Sequence, residues 1–74
     1  MSEIQSILID KNYFTLEQAN DWIKDKGFRP IKKVHETSNL YRFRITDPKL
    51  YSRFYVIPLA KNYDYIKFVM GVRK

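Results

Sequence analysis

The chain has no cysteine. That excludes a disulfide framework and any thiolate metal site, and it fits a reducing compartment. Glycine is almost as scarce. Gly27 and Gly71 stand alone, so no glycine-rich phosphate loop of the Walker or dinucleotide kind can be assembled. The sole histidine, His35, has no second ligand at metal spacing. Long hydrophobic runs are missing too. Ile7 to Ile9 is far too short a run to span a bilayer, and no basic segment precedes it, so neither a membrane anchor nor a signal peptide is expected. Acid is in short supply: 8 Asp and Glu stand against 14 Lys and Arg, for a net charge of +6.

What is present is apolar and aromatic. Hydrophobic residues make up 45% of the chain and aromatics 16%, too much for a disordered tail. Seventy-four residues suffice for one domain, 1–74, with one small core. The base is unevenly placed. Residues 1–23 hold one base against four acids, a net −3, while residues 24–74 hold thirteen bases against four acids, a net +9. A basic region of this kind suits a polyanion partner, or a soluble surface.

Periodicity gives the element order. IQSILID, 4–10, reads as a first strand ending at the turn-prone Asp10-Lys11-Asn12. In strict alternation Ile4 and Leu8 oppose Ile7 and Ile9, the pattern of a strand buried on both faces or central in a small sheet. Thr15-Leu16-Glu17-Gln18 is a capping box that opens a helix over 15–26. Phe14 before it can pack on Ala19, and Leu16, Ala19, Trp22 and Ile23 share one face at helical spacing. Gly27 follows as the C-terminal stop, with Phe28 folding back on Ile23. Strands are then expected over 32–37, 39–46, 53–59 and 65–72, separated by Thr37-Ser38-Asn39, Asp47-Pro48 and Lys61 to Asp64. Pro58 points to an edge or a strand end. The order β-α-β-β-β-β has short connections between its last four strands. It predicts an α+β fold with a single helix packed on one face of a mostly antiparallel four- to five-stranded sheet. Trp22 and Ile23 would meet Tyr41, Phe43, Phe68 and Met70, leaving the other face open.

No catalytic constellation emerges. Glu36 points away from His35 on a strand, and neither serine nor cysteine completes a nucleophilic arrangement. Glu17, Asp21 and Asp25 recur every fourth residue, which suits a solvated helix face. No enzyme activity, metal or cofactor is expected. The open sheet face is the remaining candidate. In NLYRFRI, residues 39–45, Tyr41, Phe43 and Ile45 take one face and Leu40, Arg42 and Arg44 the other. Lys67 and Tyr65 share the outward phase of the last strand, Tyr55 joins them in one possible register, and Lys32 and Lys33 would extend the patch. Arginine, lysine and tyrosine on a sheet can bind nucleic acid, DNA or RNA, by phosphate contact and base stacking. The same residue types serve protein interfaces, so a homodimer or a structural partner, docked on this face or along an edge strand, is the alternative.

Several motifs carry a resemblance. They are Asp10-Lys11, Tyr13-Phe14-Thr15, Trp22, Gly27-Phe28, Val34 to Thr37, Tyr41 to Arg44, and Ile66 to Gly71. In this order, over nearly the whole chain, they resemble a small uncharacterised domain of phages and large DNA viruses, found in phages fused to prohead-protease-like or structural proteins. The resemblance implies a viral accessory or virion-associated role, in host cytoplasm or nucleus or in the virion interior. It implies no catalytic residues, and it includes Arg42 and Arg44. This chain carries no protease region.

Overall fold

A computed structural model describes residues 2–74. It contains β1 (Ser2–Asp10), α1 (Leu16–Asp25), β2 (His35–Glu36), β3 (Leu40–Arg44), a 3-10 turn (Pro48–Leu50), β4 (Tyr51–Ala60) and β5 (Tyr63–Arg73). The strands form one antiparallel sheet in the order β2-β3-β1-β5-β4. The fold is α+β with one helix on a five-stranded sheet, as the element order predicts. Among the described residues no helix is long and apolar enough to cross a membrane.

Helix α1 forms where its local signals say it should. The Thr15 hydroxyl accepts from the Gln18 amide, and the Gln18 side chain accepts from the Thr15 amide, so two orphan donors are satisfied. At the other end Gly27 sits at φ 81°, its N–H donating to Lys24, while the Phe28 N–H reaches Ile23. These are the paired bonds of a Schellman stop, which need a residue that tolerates positive φ.

The helix covers β1, β3 and β5. Ile7, Ile9, Ala19, Ile23, Phe43 and Ile66 form the core, with Trp22, Phe28, Tyr41 and Phe68 packed around it. The Trp22, Phe28 and Phe68 rings form a triangle with centroids 6.2 to 6.5 Å apart. Each fully buried Ile or Phe contributes roughly 1.5–3 kcal/mol of transfer free energy.

Strict alternation misplaces Ile4. The β1–β5 register shifts between Ile4 and Ser6, so Gln5 is an extra residue on β1. Ile4 therefore opposes Met70 while Ile7 opposes Phe68, and both isoleucines face the helix. β1 is central, with Ser6 and Leu8 on its other face, rather than apolar on both. The strand expected over 32–37 shrinks to His35–Glu36. Before it the chain is tied to β3 by Ile31, whose N–H donates to the Arg44 carbonyl. β4 lies at the sheet edge, as Pro58 requires, and is longer than 53–59. It turns into β5 through Lys61-Asn62, with Asn62 at φ 63°.

A second bulge sits at Ser52, where the β4–β5 register shifts between Tyr51 and Arg53. It brings Tyr51 to the face opposite the helix, with its ring against Gly71. The Tyr51 hydroxyl lies 2.6 Å from Thr46 Oγ1 and donates to Glu3 at 2.9 Å. Arg73 Nε donates to the same carboxylate oxygen at 3.0 Å.

Candidate nucleic-acid interface

Register decides what the two arginines face. Across the uncovered side of the sheet, His35 pairs with Arg42, Arg42 with Leu8, Leu8 with Lys67 and Lys67 with Pro58. The next row runs Arg44, Ser6, Val69, Val56. Alternation puts each row on one face. Arg42, Arg44, His35 and Lys67 therefore share the face that α1 leaves open.

The segment leading into β2 closes over the arginines. Lys32, Lys33, His35, Arg42 and Arg44 together line a hollow of about 270 Å³. Its lining contains no carboxylate. The ion pairs among the described residues are Lys11–Glu36 at 3.5 Å and Arg73–Glu3 at 3.0 Å, and neither involves a residue of the hollow. Like charges gathered without a counter-charge repel one another, and an anion relieves that repulsion.

The floor holds Arg42 in place without neutralising it. Gln5 and Ser6 are fully buried, and the Ser6 hydroxyl donates to Gln5 Oε1 at 2.7 Å. Arg42 Nε donates to Ser6 Oγ at 3.4 Å and its terminal nitrogen to Gln5 Oε1 at 3.5 Å. Gln5 is itself anchored by donating to the Thr46 carbonyl at 3.0 Å. These acceptors are neutral, so the guanidinium keeps its charge and its remaining donors for a ligand.

The tyrosines divide. Tyr55 pairs with Met70, on the helix side of β4, and so is not beside the arginines. The register in which it would join them does not occur. Tyr65 stands two residues from Lys67 on β5, its ring centroid 3.8 Å from Tyr13 and 5.2 Å from Tyr63. The adjoining Tyr65 hydroxyl, then burial, then the Asp10 carboxylate raise the Tyr13 hydroxyl above its ordinary value of 10.0. Tyr13 is therefore neutral at physiological pH and adds no negative charge near Tyr65.

Three participants escape sequence reasoning. His35 reads as an ordinary strand histidine, and only its pairing with Arg42 places it in the hollow. Gln5 and Ser6 look like polar interruptions of an apolar strand; the signal was two adjacent polar residues in the middle of IQSILID. The helix side of the molecule has the opposite character. Asp21 and Asp25 flank Phe14 and Trp22 in a shallow depression there, so the two faces differ in charge. Among the described residues no three His, Asp or Glu side chains converge as metal ligands do. No family model, curated protein or solved structure matches the chain.

Proposed function

We propose that this protein is a nonenzymatic nucleic-acid-binding domain that grips the phosphate backbone with the open face of its sheet. The observation that carries this is the hollow lined by Lys32, Lys33, His35, Arg42 and Arg44 with no acid among them. Arginine presents a planar fork suited to phosphate oxygens, and lysine adds point charge. Lys67, one strand beyond Leu8 in the Arg42 row, lengthens the track across the sheet. Tyr65 and Tyr13, both partly exposed, stand at the same end of β1 and β5 and offer ring surface to bases. Phosphate contacts carry no sequence information, so the binding is largely indifferent to sequence. The resemblance to a phage and large-virus domain sets the proposed context, an accessory protein near a viral genome or capsid.

The test is fluorescence anisotropy of labelled single- and double-stranded oligonucleotides at two salt concentrations. Wild type binds, and more weakly at higher salt. Arg42→Ala with Arg44→Ala weakens binding and flattens the slope of log K against log salt by about 0.7–0.9 for each phosphate no longer neutralised. The pair is on the uncovered face, so the variant keeps its fold by circular dichroism. Absence of binding by wild type at low salt would sink the proposal.

A further inference from the structure

The two edges of the sheet are managed differently. The β2 edge is two residues long and carries His35 and Glu36, a short polar end that resists pairing. The β4 edge is ten residues long. From Ser52 to Ala60 every residue is exposed, and no charged side chain occurs from Phe54 to Ala60 in a chain that is 30% charged. Phe54, Tyr55, Val56, Ile57 and Leu59 are each between 38 and 54% exposed. The apolar surface is on both sides. Tyr55 and Ile57 oppose Met70 and Phe68 toward the helix side, while Phe54 and Val56 oppose Gly71 and Val69 on the open side. Neither set belongs to the core that the helix covers.

We infer that β4 pairs antiparallel with β4 of a second copy, joining two five-stranded sheets into one across a two-fold axis at Val56. Pro58 selects the register. It has no N–H, and an edge strand tolerates proline where the N–H would point away from the sheet. Backbone groups alternate, so Phe54 and Val56 direct theirs outward too. An axis at Pro58 would offer no reciprocal bond. An axis at Phe54 or Tyr55 would set the bulge at Ser52 against Val56 or Pro58, and one at Ile57 would pair each Val56 with a proline that cannot donate back. An axis at Val56 lets Val56 donate to and accept from its own copy, while each Phe54 N–H reaches the carbonyl of the other copy's residue 58. Tyr55 then faces Ile57 across the seam, and Arg53 faces Leu59 rather than another arginine. Two copies of a +6 chain thus meet along their longest uncharged stretch. A stable interface takes about 800 Å² per partner, roughly 15% of the 5261 Å² surface. β4 holds ten of the 74 residues and exposes nine of them, and those nine are the surface from which the seam would draw its area.

The test is light scattering after size exclusion on the full chain, without nucleic acid and at high salt, where association through the basic face is screened. Wild type should have twice the 9.0 kDa mass of one chain. Val56→Lys sets two ammonium groups against each other at the axis and should weaken the dimer roughly a hundredfold, since like charges facing across an interface are strongly unfavourable. Val56→Thr keeps the branched shape and should leave it intact. Circular dichroism checks that both variants fold. The absence of native cysteine allows a positional readout. Val56→Cys should oxidise rapidly to a covalent dimer, because residues facing each other in a bonded antiparallel pair lie about 5.5 Å apart, within disulfide reach. Phe54→Cys should cross-link slowly. A single-chain mass at every concentration, assemblies growing beyond two, a dimer indifferent to Val56→Lys, or equal cross-linking at both positions would each overturn the inference. Oligonucleotide binding by a single-chain protein would leave the phosphate-binding proposal standing without this one.

Discussion

Gly71 and Glu3 show how single atoms hold the open face together. A Cβ at Gly71 would fall against the Tyr51 ring, within 2.7 Å of both Cδ atoms, so the ring packs where only hydrogen fits. Gly71→Ala should therefore destabilise the fold by about 1–3 kcal/mol, as overpacking does, measured as a lower midpoint in urea unfolding. Glu3 accepts from the Tyr51 hydroxyl and from Arg73, and those bonds, Tyr51 first, hold its carboxyl below its ordinary value of 4.5 despite some desolvation. The folded-state value is the lower one. Its contribution to stability is thus fully present above 4.5 and lost as pH falls through the folded-state value. Thermal unfolding should show wild type more stable than Glu3→Gln at neutral pH, with the difference shrinking as the solution is acidified. Arg42 and Arg44 on β3 take the face that their spacing predicts, because alternation within one short strand needs no partner. Tyr55 does not join them, because its face is set by the β4–β5 register that pairs it with Met70, and that register shifts after Pro58 in a way no residue type announces.

Among the elements, α1 is the one whose limits are written locally. Its cap, its apolar stripe and its glycine stop all lie within a few residues of one another, so each signal acts without the rest of the chain. Thr15→Ala removes the hydroxyl that accepts from Gln18 and should cost about 1 kcal/mol of global stability, read from denaturant unfolding with an unchanged m-value. The strands behave otherwise. β1 gains a bulge at Gln5, and β2 is cut to two residues because the chain before it is drawn to Arg44 by Ile31. β4 shows what a single helix cannot do. Ten residues of α1 cover three strands and leave the fourth long strand with apolar side chains in water. That surplus is the basis for the proposed seam.

At the scale of the whole molecule, charge is sorted by face as well as by position along the chain. The acidic first third supplies the helix side, and bases from the later strands gather on the opposite side around Arg42 and Arg44. A two-fold axis perpendicular to the sheet would keep both copies' basic hollows on the same face, available to one extended polyanion. The oligonucleotide titration and the mass measurement probe separate surfaces, so each can fail alone. By itself the sequence determined the class of fold, the helix and its caps, the edge character of the strand containing Pro58, and the outward phase of Arg42 and Arg44. All of these follow from local sterics and from the two periodicities of helix and strand. Only the tertiary structure decided that β1 lies between β3 and β5, that Ile4 joins the core, that Tyr55 leaves the basic face, and that His35 joins it. Those outcomes depend on pairing between segments distant in the chain, where one bulge moves every later side chain to the other face.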